Sequence, residues 1–315
     1  MTIRVVATGG TIASLADPET GAVRPAVSAA DLVATVPGLG PVDVEEVAHV
    51  NGWNVTPETM LEVARRAGGG GVVVTHGTDT VEETAFLCDV TVASDVVFAA
   101  AMRSGGEIAA DGPRNLLCAT QVAEAAPGLG TVLVLNDEIH AARWARKQDS
   151  SRVSAIVSPG HGPIGIVVPG SVRVTMRPPG RFLVPLPDAL PPVPVLQTYT
   201  GIEEGLIETV LDATGAAGLV LEGTGLGNVP GSCERGVAAA VDRGLPVVVA
   251  TRVPTGGTGA VYGGPGGGVT LRDLGALPAG SLSAAKARLL LMLLLAEGGD
   301  VRARFAEGVA VLGAW

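Results

Sequence analysis

The chain has 315 residues, 47% of them apolar and 17% charged, a composition far from disorder and long enough for one large or two medium cores. Its net charge of −10, from 21 basic against 31 acidic residues, argues against nucleic acid or an anionic membrane as the main partner. Cys88, Cys118, Cys233, His49, His76, His140 and His161 show neither a CxxC nor a zinc-type spacing, so no metal is expected.

Residues 3–7 form a short β-branched run that reads as a buried strand, too short for a signal-peptide core. The run enters Thr8-Gly9-Gly10-Thr11-Ile12-Ala13. Adjacent glycines let a backbone approach a ligand closely, which makes Thr11 a candidate nucleophile at the carboxyl edge of a sheet. No GxGxxG or GKS/GKT pattern supports a dinucleotide or phosphate loop, and a plain β-turn is the other reading. Residues 15–27, with Asp17-Pro18, Gly21 and Pro25, read as a mobile loop. Ser28 is set to cap a helix over 29–35, residues 42–50 alternate as a strand, and Thr56-Pro57-Glu58 opens a helix to Arg66.

The stretch from Gly71 to Thr84 organises the rest. A continuous Val-Val-Val-Thr run predicts a strand buried on both faces, broken by His76-Gly77. Thr78 or Asp79 is placed to cap a helix with Glu82 and Glu83 in its first turn. This puts Thr78 and Asp79 beyond the carboxyl end of a parallel strand, where open α/β sheets bind ligands. A capped helix start without chemistry fits the stretch equally well.

Further strands are predicted at 96–101 and 132–135, with a helix carrying Asn115 between them; Asn136-Asp137, Arg143 and Lys147 follow. Strands alternating with helices predict a parallel sheet. Proline density at 178–194 predicts a linker between an N-terminal α/β domain (1–177) and a smaller C-terminal one (195–315), with strands near 195–196, 219–221 and 247–250. The fold class is therefore two-domain α/β, a large N-terminal parallel-sheet domain plus a smaller C-terminal α/β domain. Residues 256–268 read as a flexible glycine loop rather than a phosphate cradle. The aliphatic run at 289–295 is too short to span a bilayer, so a soluble cytoplasmic protein with no membrane partner is expected.

Taken together, the ordered stretches Thr8-Gly9-Gly10-Thr11-Ile12-Ala13, Val74-Thr75-His76-Gly77-Thr78-Asp79-Thr80-Val81-Glu82-Glu83-Thr84, Ala101-Met102-Arg103, Ala110-Asp111-Gly112-Pro113, Asn136-Asp137, Arg252-Val253-Pro254-Thr255-Gly256 and Lys286-Ala287-Arg288 resemble the bacterial type L-asparaginase/glutaminase family. The resemblance implies a two-domain α/β protein, assembled as a homotetramer or homodimer, with sites closed by a neighbouring subunit. It implies cofactor-free hydrolysis of a small-molecule side-chain carboxamide, by default L-asparagine, through a threonine acyl-enzyme. Thr11 matches the family nucleophile, and Thr78, Asp79 and Lys147 match its second catalytic group. The Thr78 N–H would stabilise the oxyanion and Asp79 the substrate ammonium; Gly10, Gly52, Trp53, Gly77 and Ala101 would line the substrate.

This sequence departs from the family pattern at several points. No tyrosine stands between Leu15 and Val27, and Ala22 sits where one would align. Gly52 and Trp53 occupy the places of a serine and a glutamine or similar polar residue, and 256–268 contains no carboxylate. Asn228 is the remaining candidate for an interface contact. Trp53 reads either as a flat apolar wall with Gly52 opening space beside it, or as core or interface packing. The rival functions are a hydrolase retooled for a larger or less charged carboxamide, and a silent small-amide sensor.

Overall fold

The computed structural model describes residues 2–313; Met1, from which the signal-peptide reading started, and residues 314–315 of the expected C-terminal domain lie outside the described residues. Contacts along the chain group it into two units, Met1–Leu186 and Pro187–Trp315. The first runs β1 (Ile3–Gly9), β2 (Ser14–Ala16), β3 (Val23–Pro25), α1 (Ala29–Ala34), β4 (Val42–Val50), α2 (Pro57–Arg66), β5 (Val72–Thr75), α3 (Val81–Thr91), β6 (Val96–Ala99), α4 (Gly112–Ala125), β7 (Thr131–Leu135), β8 (Glu138–Ala141), β9 (Arg146–Lys147), β10 (Ile156–Val157), β11 (Gly165–Val168) and β12 (Ser171–Val174).

Eight of these strands form one sheet in the order β12-β11-β8-β7-β6-β5-β1-β4. From β4 to β7 every pairing is parallel. Val72, Val73, Val74, Val96 and Phe98 are at most 1% exposed. Successive strand residues point to opposite faces, so both faces of this sheet are covered. The parallel run brings the carboxyl ends of β1, β5 and β6 to one edge. Beyond β7 the sheet continues antiparallel, which the sequence reading did not anticipate. Asn136 (φ 53°) and Asp137 (φ 65°) make the two-residue left-handed turn that reverses the chain there.

The expected loop at 15–27 is instead a hairpin. β2 and β3 pair antiparallel with Leu15 opposite Arg24. Asp17 closes the turn: its Oδ1 accepts from the N–H groups of Glu19 and Thr20 and from the Thr20 hydroxyl, and its Oδ2 meets Arg24 at 2.6 Å.

Residues 175–194 hold no helix or strand, yet their first half is tied to the first unit. The Val184 N–H donates to the Val90 carbonyl at 2.8 Å, and Arg181 donates to the carbonyls of Asp89, Val92 and Ala93 at the end of α3.

The second unit comprises β13 (Val195–Gln197), α5 (Leu206–Thr214), β14 (Leu219–Gly223), α6 (Glu234–Asp242), β15 (Val247–Thr251), α7 (Gly268–Asp273), β16 (Leu277–Pro278), α8 (Ala284–Glu297) and α9 (Val301–Leu312). Its four strands form a parallel sheet, β13-β14-β15-β16. The 256–268 segment is exposed over residues 260–265 and anchored at its end. The Gly268 N–H donates to Asn228 Oδ1 at 3.0 Å, and a Cβ added at Gly266 would lie 2.0 Å from the Val229 carbonyl oxygen. At Gly266 glycine is needed because backbone meets backbone. Among the described residues no helix is long and apolar enough to cross a membrane.

Candidate active site

Three chain segments meet at the carboxyl edge of the large sheet with no side chain between them. Gly10 has φ 81°, and a Cβ on it would lie 2.3 Å from Gly77 Cα; a Cβ on Gly77 would lie 2.7 Å from Gly52 Cα. Both distances are impossible for a real side chain, so glycine is required at 10 and 77. Thr11 and Thr78 each follow one member of the touching Gly10–Gly77 pair, so each lies one residue beyond that backbone contact. Thr11 starts a short 3₁₀ turn closed on the Gly10 carbonyl by the Ala13 N–H (3.0 Å) and the buried Ser14 hydroxyl (2.8 Å).

Neither Thr78 nor Asp79 caps α3. The helix starts at Val81, and Thr80 stands at its N-cap position without a side-chain capping bond. Thr80 instead donates its hydroxyl to the Gly52 carbonyl at 2.6 Å, fixing the 51–54 turn against 77–80. Thr78 and Asp79 are thus left for another partner. Lys147 Nζ donates to Thr78 Oγ1 at 3.0 Å and to Asp79 Oδ1 at 2.5 Å, and its main-chain N–H donates to Glu82 Oε2 at 2.5 Å. Thr78 is 3% exposed, the Lys147 side chain 18% and the Asp79 side chain 40%. Among the described residues the Thr78 N–H and the Thr11 hydroxyl have no hydrogen-bond partner.

Ala101 is fully buried just after β6, where Gly112 separates it from Ile12. Asp111 holds this corner: its carboxylate accepts from the N–H groups of Met102 and Arg103. Asn115 donates to the Ala100 carbonyl and accepts from the Asn136 N–H, joining the ends of β6 and β7 to α4. Trp53 is 65% exposed, which rules out core packing. Gly52 opens no space beside it. Its missing side chain would lie 3.2 Å from Gly77 Cα and 3.4 Å from Asp79 Cβ, so neighbouring atoms already fill the gap.

Behind the turn, His76 is fully buried. Its Nδ1 faces the Gly77 carbonyl at 2.9 Å and its Nε2 faces the Thr84 hydroxyl at 2.9 Å. A carbonyl can only accept, so Nδ1 carries the proton and Nε2 accepts from Thr84. Burial pulls the pKa from 6.5 to about 4, against the Gly77 hydrogen bond, which raises it. Between those values the unfolded chain binds a proton that the folded chain does not, so stability is lost as pH falls through the window. Acidification from pH 7 to 4.5 is expected to cost about 2–3 kcal/mol through His76. Burial lowers His140 and His161 too, with the same sign. The check is therefore a difference: urea unfolding at both pH values should show a smaller acid loss in His76→Asn than in the parent. An equal loss would assign the acid sensitivity to other groups.

The comparisons with known proteins show the family. The family model for the asparaginase N-terminal domain matches residues 2–180, and that for the glutaminase/asparaginase C-terminal domain matches residues 192–304. The chain belongs to the asparaginase family. It is 35% identical to L-asparaginase 2 of Bacillus subtilis, over 97% of this chain and 86% of that protein. It is 38% identical to a probable L-asparaginase of Deinococcus radiodurans, over 98% of each. The crystal structure of a probable cytoplasmic L-asparaginase from Campylobacter jejuni superposes with TM-score 0.85 at 30% identity, covering 97% of this chain and 99% of that one.

Within this asparaginase-family hydrolase, Gly10, Thr11, Gly52, Gly77, Thr78, Asp79 and Lys147 gather at one edge, with Ala101 behind them. The sequence reading gave Glu82 only a place in the first turn of a helix, and no individual role to Thr80, Asp111 or Asn115. One available signal was the lysine count. Of the 21 basic residues only two, Lys147 and Lys286, are lysines.

Proposed function

We propose that the chain hydrolyses the side-chain carboxamide of L-asparagine to aspartate and ammonia, with Thr11 as nucleophile and Thr78, Asp79 and Lys147 as the proton relay. The observation that carries this reading is the 3.0 Å contact between Lys147 Nζ and Thr78 Oγ1, with Asp79 2.5 Å from the same nitrogen, beside the Gly10–Gly77 contact that delivers Thr11. A threonine hydroxyl attacks only when a neighbour takes its proton. Lysine can serve as that acceptor, whereas arginine stays protonated at any working pH. A chain that uses arginine almost everywhere else has lysine here.

In this mechanism Thr11 Oγ bonds to the amide carbon, its proton passes to the relay, and the carbonyl electrons move onto oxygen. The unpaired Thr78 N–H is available to that oxyanion. Collapse breaks the C–N bond, the relay proton goes to nitrogen, and ammonia leaves. Water then attacks the ester by the same route and frees Thr11. No cofactor enters any step. The reading includes the dimer or tetramer, with a neighbour closing the site, and a cytoplasmic location; the exposed Trp53 is available to a neighbour.

A second reading makes Thr78 the acylated residue, because its hydroxyl is the one that touches the amine. Acid-quenching the enzyme during turnover, followed by tryptic mapping, decides between them. Arginines 66 and 103 release Thr78 on a peptide of its own, apart from Thr11. We expect the acyl group on the Thr11 peptide and ammonia release greatest with asparagine across a panel of carboxamides. An adduct on peptide 67–103 would exchange the two threonines' roles; no ammonia from any carboxamide would end the hydrolase reading of this site.

A further inference from the structure

We propose that Glu82 is a positioning residue that holds Lys147 in register with Thr78 and Asp79; the inference rests on the relay assigned above. Lys147 sits on β9, a two-residue strand paired only with the two residues of β10 and lying outside the large sheet. So short a ladder contributes little fixity of its own. Lys147 pairs with Ile156, yet its N–H does not donate across that ladder. It points the other way, to Glu82 Oε2 at 2.5 Å, a charge-assisted bond to the first turn of α3. The tip of the same side chain reaches Thr78 and Asp79. All three acceptors of Lys147 on this side therefore fall within residues 78–82, which grip the lysine at its backbone and at its amine.

That arrangement fixes a length. The backbone anchor and the two tip acceptors belong to one turn and helix start, so the extended side chain is held at both ends of its reach. The first-turn carboxylate is also favoured by the α3 dipole. Removing it would leave the β9 edge to water and let the strand shift, and a misplacement of about 1 Å can cost about 10²-fold in rate. Among the described residues Glu82 makes no hydrogen bond to Thr11, Thr78 or Asp79, so its effect passes through Lys147.

The test uses the full chain. Glu82→Ala should lower kcat by about 10–10²-fold with KM changed less than about threefold, while Glu82→Gln, whose amide oxygen still accepts, should stay within about threefold of the parent. In a Lys147→Met background Glu82→Ala should cost nothing more, because the residue it positions is already gone. Labelling with ¹⁵N-lysine gives two amide signals, from Lys147 and Lys286. The Lys147 signal should lie downfield in the parent and in Glu82→Gln, and move upfield in Glu82→Ala, with Lys286 unmoved. Full kcat in Glu82→Ala, an equal loss in the Lys147→Met background, or an unmoved Lys147 signal would each overturn the inference. A parent that hydrolyses no carboxamide would end the relay reading instead, and the amide signals would still report whether Glu82 holds Lys147.

Discussion

Replacing Lys147 by arginine should lower kcat by about 10²–10⁴-fold, the usual worth of a positioned proton-transfer group, with little change in KM or thermal stability. Arginine keeps the charge and the reach, and its guanidinium can still meet Asp79 and Thr78. What it cannot do is give up its proton. The substitution therefore separates a lysine that neutralises Asp79 from one that moves protons. Lys147→Met removes both abilities and should be no worse than arginine in kcat if proton transfer is the task. Steady-state ammonia release on the three proteins is the measurement. A Lys147→Arg enzyme within about threefold of the parent would make the residue an electrostatic anchor, and the proton acceptor would have to be sought on another group.

The sequence revealed the parts of this site that depend on local pattern, and little of what depends on distance along the chain. Residues 72–75 and 96–99 are strands because β-branched runs buried on both faces have one stable arrangement, and the glycines after β1 and β5 marked the turns. Lys147 has no such mark. It lies 68 residues beyond Asp79, and before folding nothing separates it from a solvated surface lysine; only the resemblance pointed to it. Gly52 was misread for a related reason. A missing side chain looks like space in one dimension, but at this point the backbone of Gly77 occupies it. The hairpin at β2 and β3 escaped because three-residue strands carry almost no periodic signal, and its order comes from one aspartate, Asp17, folded back on its own turn. The antiparallel β8 was legible in principle. Asn136-Asp137 is a residue pair that tolerates two left-handed positions in succession, and it was treated only as a family match.

The second large expected effect concerns what holds the far end of α3. Asp89 Oδ2 meets Arg143 Nε at 3.0 Å with both side chains only 2% exposed, and Asp89 Oδ1 also accepts from the Thr131 N–H. Arg143 carries the pairing onward to the carbonyls of Pro179 and Gly180. One ion pair thus ties α3, whose first turn holds Glu82, to β7, to the segment leading into β9 and to the start of the proline-rich stretch. The pair itself gains little over apolar packing, but removing one partner takes the nearest opposite charge from a buried ion. Without Arg143, Asp89 keeps Arg181 at 4.0 Å as an ion partner; without Asp89, Arg143 keeps its carbonyl contacts. Asp89→Ala should therefore destabilise the protein by about 3–5 kcal/mol, a fall in Tm of about 6–20 °C for a unit of this size. Arg143→Met should do likewise. The double variant should be markedly more stable than the sum of the two losses, because it removes both members of the buried pair together. Thermal unfolding of the four proteins at pH 7 gives the coupling energy directly. Losses that simply add would mean that Asp89 and Arg143 do not depend on each other in solution, and that α3 is held by the Arg181 contacts at its carboxyl end.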